Sequence, residues 1–365
     1  MRMKKETSRR KRALALLLCI AALISLACSD PTSTVIFPNA EASARPTPKP
    51  TPVPTAVPTE VPTAVPTEVP TAEPTQPPTP TPKPTSVPKT FLFGGAELPA
   101  GLTKIDKNTV DENGNKVIGE KTDPKRITKK EVEALVALCP NLSKLVLDYC
   151  YLDDYTPLSK LTGLTDLALM TCGNEYGGEK LDDIGWISTL TELTDLTLCY
   201  NNISDITPLT GLENLEYLNL AGNDLDDEDL KVLAKLPSLT TLYLYWLPNL
   251  TDVTPLAEIE YLCYLHLGHD SKIESVKPLT KLKYLTQLRI NDTAVKDISY
   301  FGDFKHLKYL DLSDCARKAS DYAVLGNCPK LKGVAVANAP DDVKTVFAGL
   351  SGITLANGWN SGWNN

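Results

Sequence analysis

The feature that most constrains the fold of this chain is a leucine pattern that recurs from residue 142 to residue 339. The first copy reads Leu142-x-x-Leu145-x-Leu147-x-x-Cys150, and successive copies begin 22–24 residues apart, with one step of 29. One copy cannot bury its own leucines, so a fixed period of this length indicates a solenoid of stacked coils. The nine copies, the last of them weaker, begin at Leu142, Leu164, Leu193, Leu215, Leu239, Leu262, Leu285, Leu307 and Leu331.

Within each copy, the alternation Leu-x-Leu predicts a short β-strand whose leucines point into the core. Three residues after the second strand leucine, most copies place a small polar residue or a cysteine, such as Cys172, Asn201 or Asn223. We expect these side chains to bond the turn backbone from coil to coil, forming a ladder. The fifth copy has Leu247 there, so the ladder should be interrupted at that coil.

A second apolar run follows the strand, as in the sequence Asn-Asn-Ile-Ser-Asp-Ile-Thr-Pro-Leu of residues 201–209. Together with the leucine pattern, this run resembles the bacterial internalin type of leucine-rich repeat, over residues 128–350. The resemblance implies an α/β solenoid, a leucine-rich-repeat horseshoe with short parallel strands on its concave face, used to bind proteins or glycans. The identity of the ligand does not carry over, because members of this family bind very different partners.

Residues 91–139 precede the repeats and form an N-terminal module. Thr128 and Glu131 have the spacing of a capping box, which predicts a helix that ends at Leu138. The apolar residues of this helix recur on one face, so we expect the helix to cap the first coil of the solenoid.

Within that module, Asn113-Gly114 lies between two short apolar stretches and predicts a hairpin. Asp111, Asn113 and Asn115 resemble half of a calcium loop, but the distal glutamate ligand is not where such a loop needs it. We therefore interpret the three residues as part of a turn.

Residues 1–27 have the organisation of a secretory signal peptide. Seven Lys or Arg residues precede an apolar run from Ala13 to Ala27, which is shorter than the ~20 residues that span a bilayer as a helix. The Ser-Leu-Ala-Cys sequence ending at Cys28 resembles a bacterial lipobox, which implies lipidation of Cys28 and a membrane anchor. Ser25 stands where that motif prefers Leu, Val or Ile, so cleavage with release and an uncleaved anchor stay open.

Residues 28–90 separate the predicted signal peptide from the folded part of the chain. Sixteen of the 29 prolines fall in residues 46–88, where Pro-Thr alternates with Val, Ala or Glu. Proline fixes φ and lacks an N–H donor, so neither helix nor sheet can form. In polyproline II conformation the stretch would span about 130 Å. We interpret it as a disordered stalk, a linker without a spacing role being the alternative.

Charge and residue types exclude several function classes. The formal net charge is −8, and removing the net +6 of residues 1–27 leaves about −14, which repels nucleic acid and favours neutral or basic partners. We find no phosphate loop and no Ser/His/Asp or Cys/His set, so we predict no enzyme and no cofactor. His266 and His269 lack a third ligand, which argues against a metal site. The odd number of later cysteines favours buried thiols over disulfides.

The residues between the core leucines of each strand face the concave side. Strands lie about 4.8 Å apart, so the tyrosines of copies four, five, six and eight become neighbours, as do Tyr245 and His266. Aromatic rings with polar tips suit recognition, although aromatic residues that pack across a sheet are the alternative. The predicted ligand-binding residues are Tyr217, Asn219, Tyr243, Tyr245, Trp246, Tyr264, His266, Arg289, Tyr309 and Asp311.

Two segments depart from the repeat pattern. Residues 173–180, inserted in the second copy, predict a loop at the sheet edge that is either a ligand loop or a tolerated insertion. The tail, residues 351–365, is rich in Gly and Asn, and we expect it to be loose. Its Trp359 and Trp363 could cap the last coil or touch a glycan.

We thus predict repeats over residues 140–350 and a non-catalytic, monomeric, extracellular binding protein tethered to a bacterial surface. It recognises a protein or polysaccharide through the concave face of the solenoid. A structural envelope component that links the membrane to wall polymers is the alternative. Binding requires Tyr243, Tyr245 and Trp246 to be exposed on that face, whereas a structural role predicts a covered or featureless one.

Overall fold

The structure, a computed structural model, describes residues 88–120, 123–172, 181–315, 317–359 and 363. The predicted signal peptide, the stalk up to residue 87 and the inserted loop 173–180 lie outside these residues. No helix in the described ranges is both long enough and apolar enough to cross a membrane.

The described residues form a solenoid built on one large parallel sheet. Their strands are β1 (Thr90–Phe93), β2 (Ala96–Pro99), β3 (Lys104–Ile105), β4 (Lys125–Ile127), β5 (Lys144–Val146), β6 (Cys150–Leu152), β7 (Asp166–Ala168), β8 (Asp195–Thr197), β9 (Tyr217–Asn219), β10 (Thr241–Tyr243), β11 (Tyr264–His266), β12 (Gln287–Arg289), β13 (Tyr309–Asp311), β14 (Gly333–Ala335) and β15 (Thr354–Ala356). Eleven of these strands form the large sheet, in the order β15-β14-β13-β12-β11-β10-β9-β8-β7-β5-β3, and β1-β2 and β4-β6 form two smaller sheets.

Short helices return the chain from one strand to the next. The α-helices are α1 (Lys129–Leu138), α2 (Leu230–Leu233) and α3 (Asp341–Ala348), and the 3-10 helices are Thr156–Lys160, Gly185–Thr189, Thr207–Gly211, Thr254–Glu258, Lys277–Lys281, Phe301–Asp303 and Ala319–Asn327.

The predicted leucine-rich-repeat solenoid is confirmed. Each repeat strand has three residues, and its central residue pairs with the central residue of the next, as Leu218, Leu242 and Leu265 do; this residue is leucine in every repeat strand except β14, which has Val334. These leucines are fully buried. Side chains alternate along a strand, so the residues on either side of the leucine point to the opposite face of the sheet. We call this second face, which lies away from the leucine core, the outward face.

Proline and aspartate explain why three of the 3-10 helices begin at Thr-Pro-Leu. Proline suits the first turn of a helix, where its missing N–H leaves no partner unsatisfied. An aspartate two residues earlier accepts the threonine N–H: Asp154 Oδ1 lies 2.9 Å from Thr156 N, and Asp205 Oδ1 lies 2.8 Å from Thr207 N. The hydroxyl of Thr156, with Lys129, lowers the pKa of Asp154 to about 2.

The predicted ladder of side chains joins consecutive coils. Asn201 donates through Nδ2 to the carbonyls of Leu169 (2.8 Å) and Leu198 (2.9 Å) and accepts from the N–H of Cys172 at 2.8 Å. The Cys172 thiol in turn donates to the carbonyl of Leu147 at 3.3 Å. Backbone groups that the turn would leave unpaired in the core are thereby satisfied.

Every coil leaves its strand through a residue with left-handed backbone. Such a conformation is uncommon for residues other than glycine and costs about 1 kcal/mol or more. At seven of the nine positions the N–H donates to a backbone carbonyl of the following coil, as Trp246 N does to Gly268 O at 3.1 Å, which extends the sheet bonding past the strand. The positions, with φ between 51° and 67°, are Tyr149, Thr171, Tyr200, Gly222, Trp246, His269, Asp292, Asp314 and Asn338.

Helix α1 begins with the predicted capping box. The N–H of Thr128 donates to Glu131 Oε2 at 2.8 Å, and the N–H of Glu131 donates to Thr128 Oγ1 at 3.4 Å. Val132 and Leu135 are fully buried, so one face of the helix packs into the core, as do Phe93 and Leu98 of the β1–β2 hairpin.

The turns and hairpins of the N-terminal module are only partly those predicted from the sequence. The hairpin expected around Asn113-Gly114 is reduced to a single antiparallel bridge between Val110 and Lys116. Asp111 binds the turn itself, since its Oδ1 accepts the N–H groups of Asn113 and Asn115 at 2.8 and 2.9 Å. The hairpin that does form, β1–β2, was not predicted.

The sheet extends beyond residues 140–350 at both ends. Strand β3 of the N-terminal module pairs with β5, and β15, within the predicted tail, pairs with β14. All seven cysteines of the described residues are free thiols, and every one except Cys263 is buried.

Candidate functional site

The outward face carries two columns of side chains, one on each side of the buried leucines. From β5 to β15 the first column is Lys144, Asp166, Asp195, Tyr217, Thr241, Tyr264, Gln287, Tyr309, Gly333 and Thr354. The second column is Val146, Ala168, Thr197, Asn219, Tyr243, His266, Arg289, Asp311, Ala335 and Ala356.

The middle of this face is aromatic. Tyr243 belongs to the second column and lies diagonally between two tyrosines of the first: its ring centroid is 5.5 Å from that of Tyr217 and 4.8 Å from that of Tyr264. Tyr245 stacks on His266 at 4.5 Å. The structure therefore brings together most of the residues that the sequence singled out, and Asn219 lies beside Tyr243 in the second column.

The turn that follows each strand adds further rings at one edge. Tyr200 contacts both Tyr245 and Trp246, each at 6.2 Å, and Trp246 contacts His269 at 5.4 Å. Tyr217, Tyr243, Tyr245 and Trp246 are half-buried, so each has a side open to a partner. We call this group the aromatic surface; it consists of Tyr200, Tyr217, Tyr243, Tyr245, Trp246, Tyr264 and His266.

A chain of polar contacts fixes the histidines. His266 Nε2 lies 3.3 Å from Asn291 Oδ1, and Asn291 Nδ2 lies 3.3 Å from His269 Nε2. Gly268 permits this approach, because a Cβ there would lie 2.4 Å from Asn291 Oδ1. Burial, together with the charge of Arg289, depresses the pKa of His266 well below its usual value, so the ring is neutral.

His266 is 6% exposed, so it supports the aromatic surface more than it presents a free side chain. In the described residues its Nδ1 has no hydrogen-bond partner. No group of three or more His, Cys, Asp or Glu side chains in these ranges is arranged to hold a metal ion.

Farther along the face, the C-terminal tail lies over the sheet. Trp363 stacks on Tyr309 with centroids 5.1 Å apart and planes at 13°. Trp359 meets Tyr264 edge to face at 6.3 Å, and the guanidinium of Arg289 lies 4.9 Å from its ring centroid. Arg289 Nε also donates to the buried Asp311 carboxylate at 3.2 Å.

Two expectations are corrected here. Tyr309 does not become a neighbour of Tyr264, because Gln287 lies between them in the first column and Tyr309 stacks on the tail. The tail is not loose at Trp363, whose side chain is buried on the outward face. The first difference arises from the strand order, and the second from the stacking of Trp363 on Tyr309.

An acidic region flanks the aromatic surface on its N-terminal side, and sequence reasoning missed it. Asp166 pairs with Lys144, and Asp148 Oδ1 accepts the N–H of Met170 at 3.2 Å. Burial raises the pKa of Asp148 to about 6, and it also raises the pKa of Asp195. Such shifts often mark functional positions. Asp166 and Asp195 occupy the same column as Tyr217. This shared position in the repeat is the sequence signal that could have revealed them.

Comparison with known proteins supports the repeat assignment. Residues 182–225 and 191–246 match the family model described as Leucine rich repeat. Leucine-rich repeat-containing protein 56 of mouse (Mus musculus) and rat (Rattus norvegicus) is 39% identical over 107 residues, which are 29% of this chain. The chain spans 18% of the length of these curated relatives.

Three solved structures are also similar. Internalin C2 of Listeria monocytogenes is 30% identical, with a TM-score of 0.42, over 51% of this chain and 75% of that one. Internalin inlF of the same organism is 23% identical, with a TM-score of 0.38, over 67% and 86%. The leucine-rich repeat domain of APL1B is 19% identical, with a TM-score of 0.43, over 58% and 59%.

Proposed function

We propose that this leucine-rich-repeat chain is a non-catalytic binding protein that recognises a protein partner through the outward face of its sheet. The observation that carries the proposal is the aromatic surface, whose tyrosines and tryptophan stand on strand and turn positions that the leucine core does not use. Solenoid proteins commonly bind their partners on such extended surfaces.

The physical chemistry of the surface suits a protein interface. Tyrosine and tryptophan offer a large contact area at a small cost in side-chain entropy, and they dominate binding energies where they are desolvated. Tyr243 is held on two sides by other rings. The surface is therefore largely ordered before a partner arrives, which lowers the entropic cost of association.

The adjoining acidic region defines the chemistry of the partner further. Asp148, Asp166 and Asp195 adjoin the aromatic surface, and Lys144 neutralises only one of them. A partner that places a basic group beside an apolar or aromatic anchor would complement both regions. Its association should slow as salt is added, because salt screens the attraction between the approaching charges.

The binding proposal predicts a large effect of truncating the aromatic surface. Full-length protein is used to capture partners from surface-protein extracts and to probe glycan arrays. For a protein partner so identified, Tyr243→Ala with Trp246→Ala should raise Kd at least ~30-fold by surface plasmon resonance, because two anchors of the kind that dominate interfaces are lost.

A matched control is available elsewhere on the solenoid. Tyr261 and Tyr284 stack at 5.6 Å, are 37% and 41% exposed, and lie outside the outward face. Tyr261→Ala with Tyr284→Ala should leave Kd unchanged. Equal losses in both double variants, or none in the first, would remove the outward face as the binding surface. Hits on glycans alone would assign the face to polysaccharides.

We further propose that the protein acts outside the cell, tethered by lipid at Cys28. The basic segment and apolar run of residues 1–27, and the Pro-Thr stalk that follows, support this proposal. The alternative, a structural link between membrane and wall polymers, would share the anchor but not require the aromatic surface.

Tethering predicts a defined mature N-terminus. Mass spectrometry of protein produced with its own leader in a bacterium should find residues 1–27 absent and Cys28 carrying diacylglycerol. Cys28→Ser should remove the lipid mass and shift the protein from the membrane fraction to the medium, since a stalk alone has no membrane affinity. An unmodified Cys28 in the mature wild-type protein would refute the anchor.

A further inference from the structure

We infer that the outward face over β11–β14 is a docking site for a segment that carries two tryptophans four residues apart, and that Trp359 and Trp363 of the chain itself occupy this site as a tethered ligand. That Trp359 and Trp363 occupy this site does not depend on the proposed function. That they compete there with an external partner rests on the proposed function.

The first tryptophan seat is on β13 and β14. Trp363 lies nearly parallel to Tyr309 and is 9% exposed, so both faces of its indole are largely removed from water. Rings stacked in this way are stabilised beyond the effect of burying their area. This seat holds the end of the tail.

Strand β14 is shaped for that indole. Its outward positions are Gly333 and Ala335, whereas the two preceding strands, β12 and β13, carry Gln, Arg, Tyr and Asp at the same places. A Cβ on Gly333 would lie 2.6 Å from Cζ2 of Trp363, so only glycine leaves room for the ring. Gly333, Val334 and Ala335 are all buried, which shows that both sides of the strand are covered.

The second seat is on β11 and β12. Asp311 holds Arg289 by the hydrogen bond at Nε, and the guanidinium faces the indole of Trp359, an arrangement that favours cation–π attraction. Trp359 also contacts Tyr264 and Trp363. Trp359 is half-exposed, and Tyr264 joins its seat directly to the aromatic surface.

A partner that binds this face can displace Trp359 and Trp363. The ring contacts come from two side chains near the end of the described chain, so the cost of releasing them is small compared with unfolding a coil. Only Asn357 and Gly358 separate Trp359 from β15, and a short link of this kind keeps a ligand at a local concentration of order millimolar. A protein partner that covers both the aromatic surface and β11–β14 must therefore displace Trp359 and Trp363.

The test asks whether the segment binds the site when it is supplied from outside. The full-length variant Trp359→Ala with Trp363→Ala is titrated into the labelled peptide GWNSGWNN, the sequence of residues 358–365, and fluorescence anisotropy is recorded. We expect saturable binding, and at least ~10-fold weaker binding to wild-type protein, whose own tail competes. The peptide GANSGANN should bind neither, and the Tyr261→Ala, Tyr284→Ala variant should behave like wild type.

A second variant keeps both tryptophans and removes their seat. Gly333→Val should expel Trp363, so that chymotrypsin cleaves after the tail tryptophans at least ~10-fold faster than in wild type while circular dichroism stays unchanged. If the double alanine variant proves unfolded, the cleavage rate of the Gly333→Val variant decides whether the tail tryptophans occupy the site. Equal peptide binding by wild type and the double variant, no binding by a folded double variant, or unchanged cleavage in a folded Gly333→Val variant would overturn the inference.

Discussion

Asp270→Asn should raise the free energy of unfolding by about 5 kcal/mol at pH 8 and remove much of its dependence on pH. Asp270 holds the ladder position of the sixth coil and is fully buried. Its Oδ1 accepts the N–H of Leu247 at 2.6 Å, whereas in the described residues Oδ2 has no partner. Asparagine would accept the same N–H and add the Nδ2 donor that Asn201 uses.

The sign of the pH effect follows from the direction of the pKa shift. Burial raises the pKa of Asp270 from 3.8 to about 9. Between these values the folded state holds a proton that the unfolded state has released, so stability falls as pH rises, by up to ~1.4 kcal/mol per unit. The stabilising contribution is complete below pH 4 and is lost progressively up to about pH 9.

Urea unfolding of wild type and Asp270→Asn at pH 5, 6.5 and 8 measures this effect. The two proteins should converge toward low pH and diverge toward high pH. Asp314→Asn is the matched control, because Asp314 is exposed and has the left-handed backbone that asparagine tolerates. An Asp270→Asn protein with the wild-type slope would show that the carboxyl titrates normally.

Asn223→Ala should lower the free energy of unfolding by about 3 kcal/mol. The Asn223 amide donates to the carbonyls of Leu198 and Leu220 at 3.0 and 2.8 Å and accepts the N–H of Ile203 at 3.1 Å. Alanine would leave several buried backbone groups without partners, each at a cost of about 1–3 kcal/mol.

Urea unfolding at constant pH measures this loss, with Asn214→Ala as control. Asn214 is exposed and donates one hydrogen bond, to the carbonyl of Thr191 at 3.0 Å. Its replacement should cost less than about 1 kcal/mol. Comparable losses at Asn214 and Asn223 would contradict a ladder that holds the coils together.

The repeated part of the fold could be predicted from sequence because the leucine pattern has the same period as the coils that bury the leucines. Each leucine at a strand centre is buried where the alternation places it, and Thr128 with Glu131 marked the start of α1. The ladder could be predicted for the same reason. These features depend on neighbours one coil away, which the repeat itself supplies.

The remaining features depend on contacts that the period does not encode. Trp363 packs on Tyr309, which is 54 positions earlier, and only the path of the tail over the sheet brings them together. That Tyr217, Tyr243 and Tyr264 are neighbours could be predicted, but their diagonal arrangement across two columns became apparent only from the strand register. The sequence does not single out Asp148, because its burial becomes apparent only in three dimensions.

The left-handed residue that ends each strand has a consequence for how specificity can change over time. Because one backbone conformation recurs with tyrosine, threonine, glycine, tryptophan, histidine, aspartate or asparagine, the side chain there varies while the coil geometry stays fixed. These residues form a row along one edge of the outward face, about 4.8 Å apart. Substitutions along the row can therefore redirect recognition toward a new partner without redesign of the leucine core.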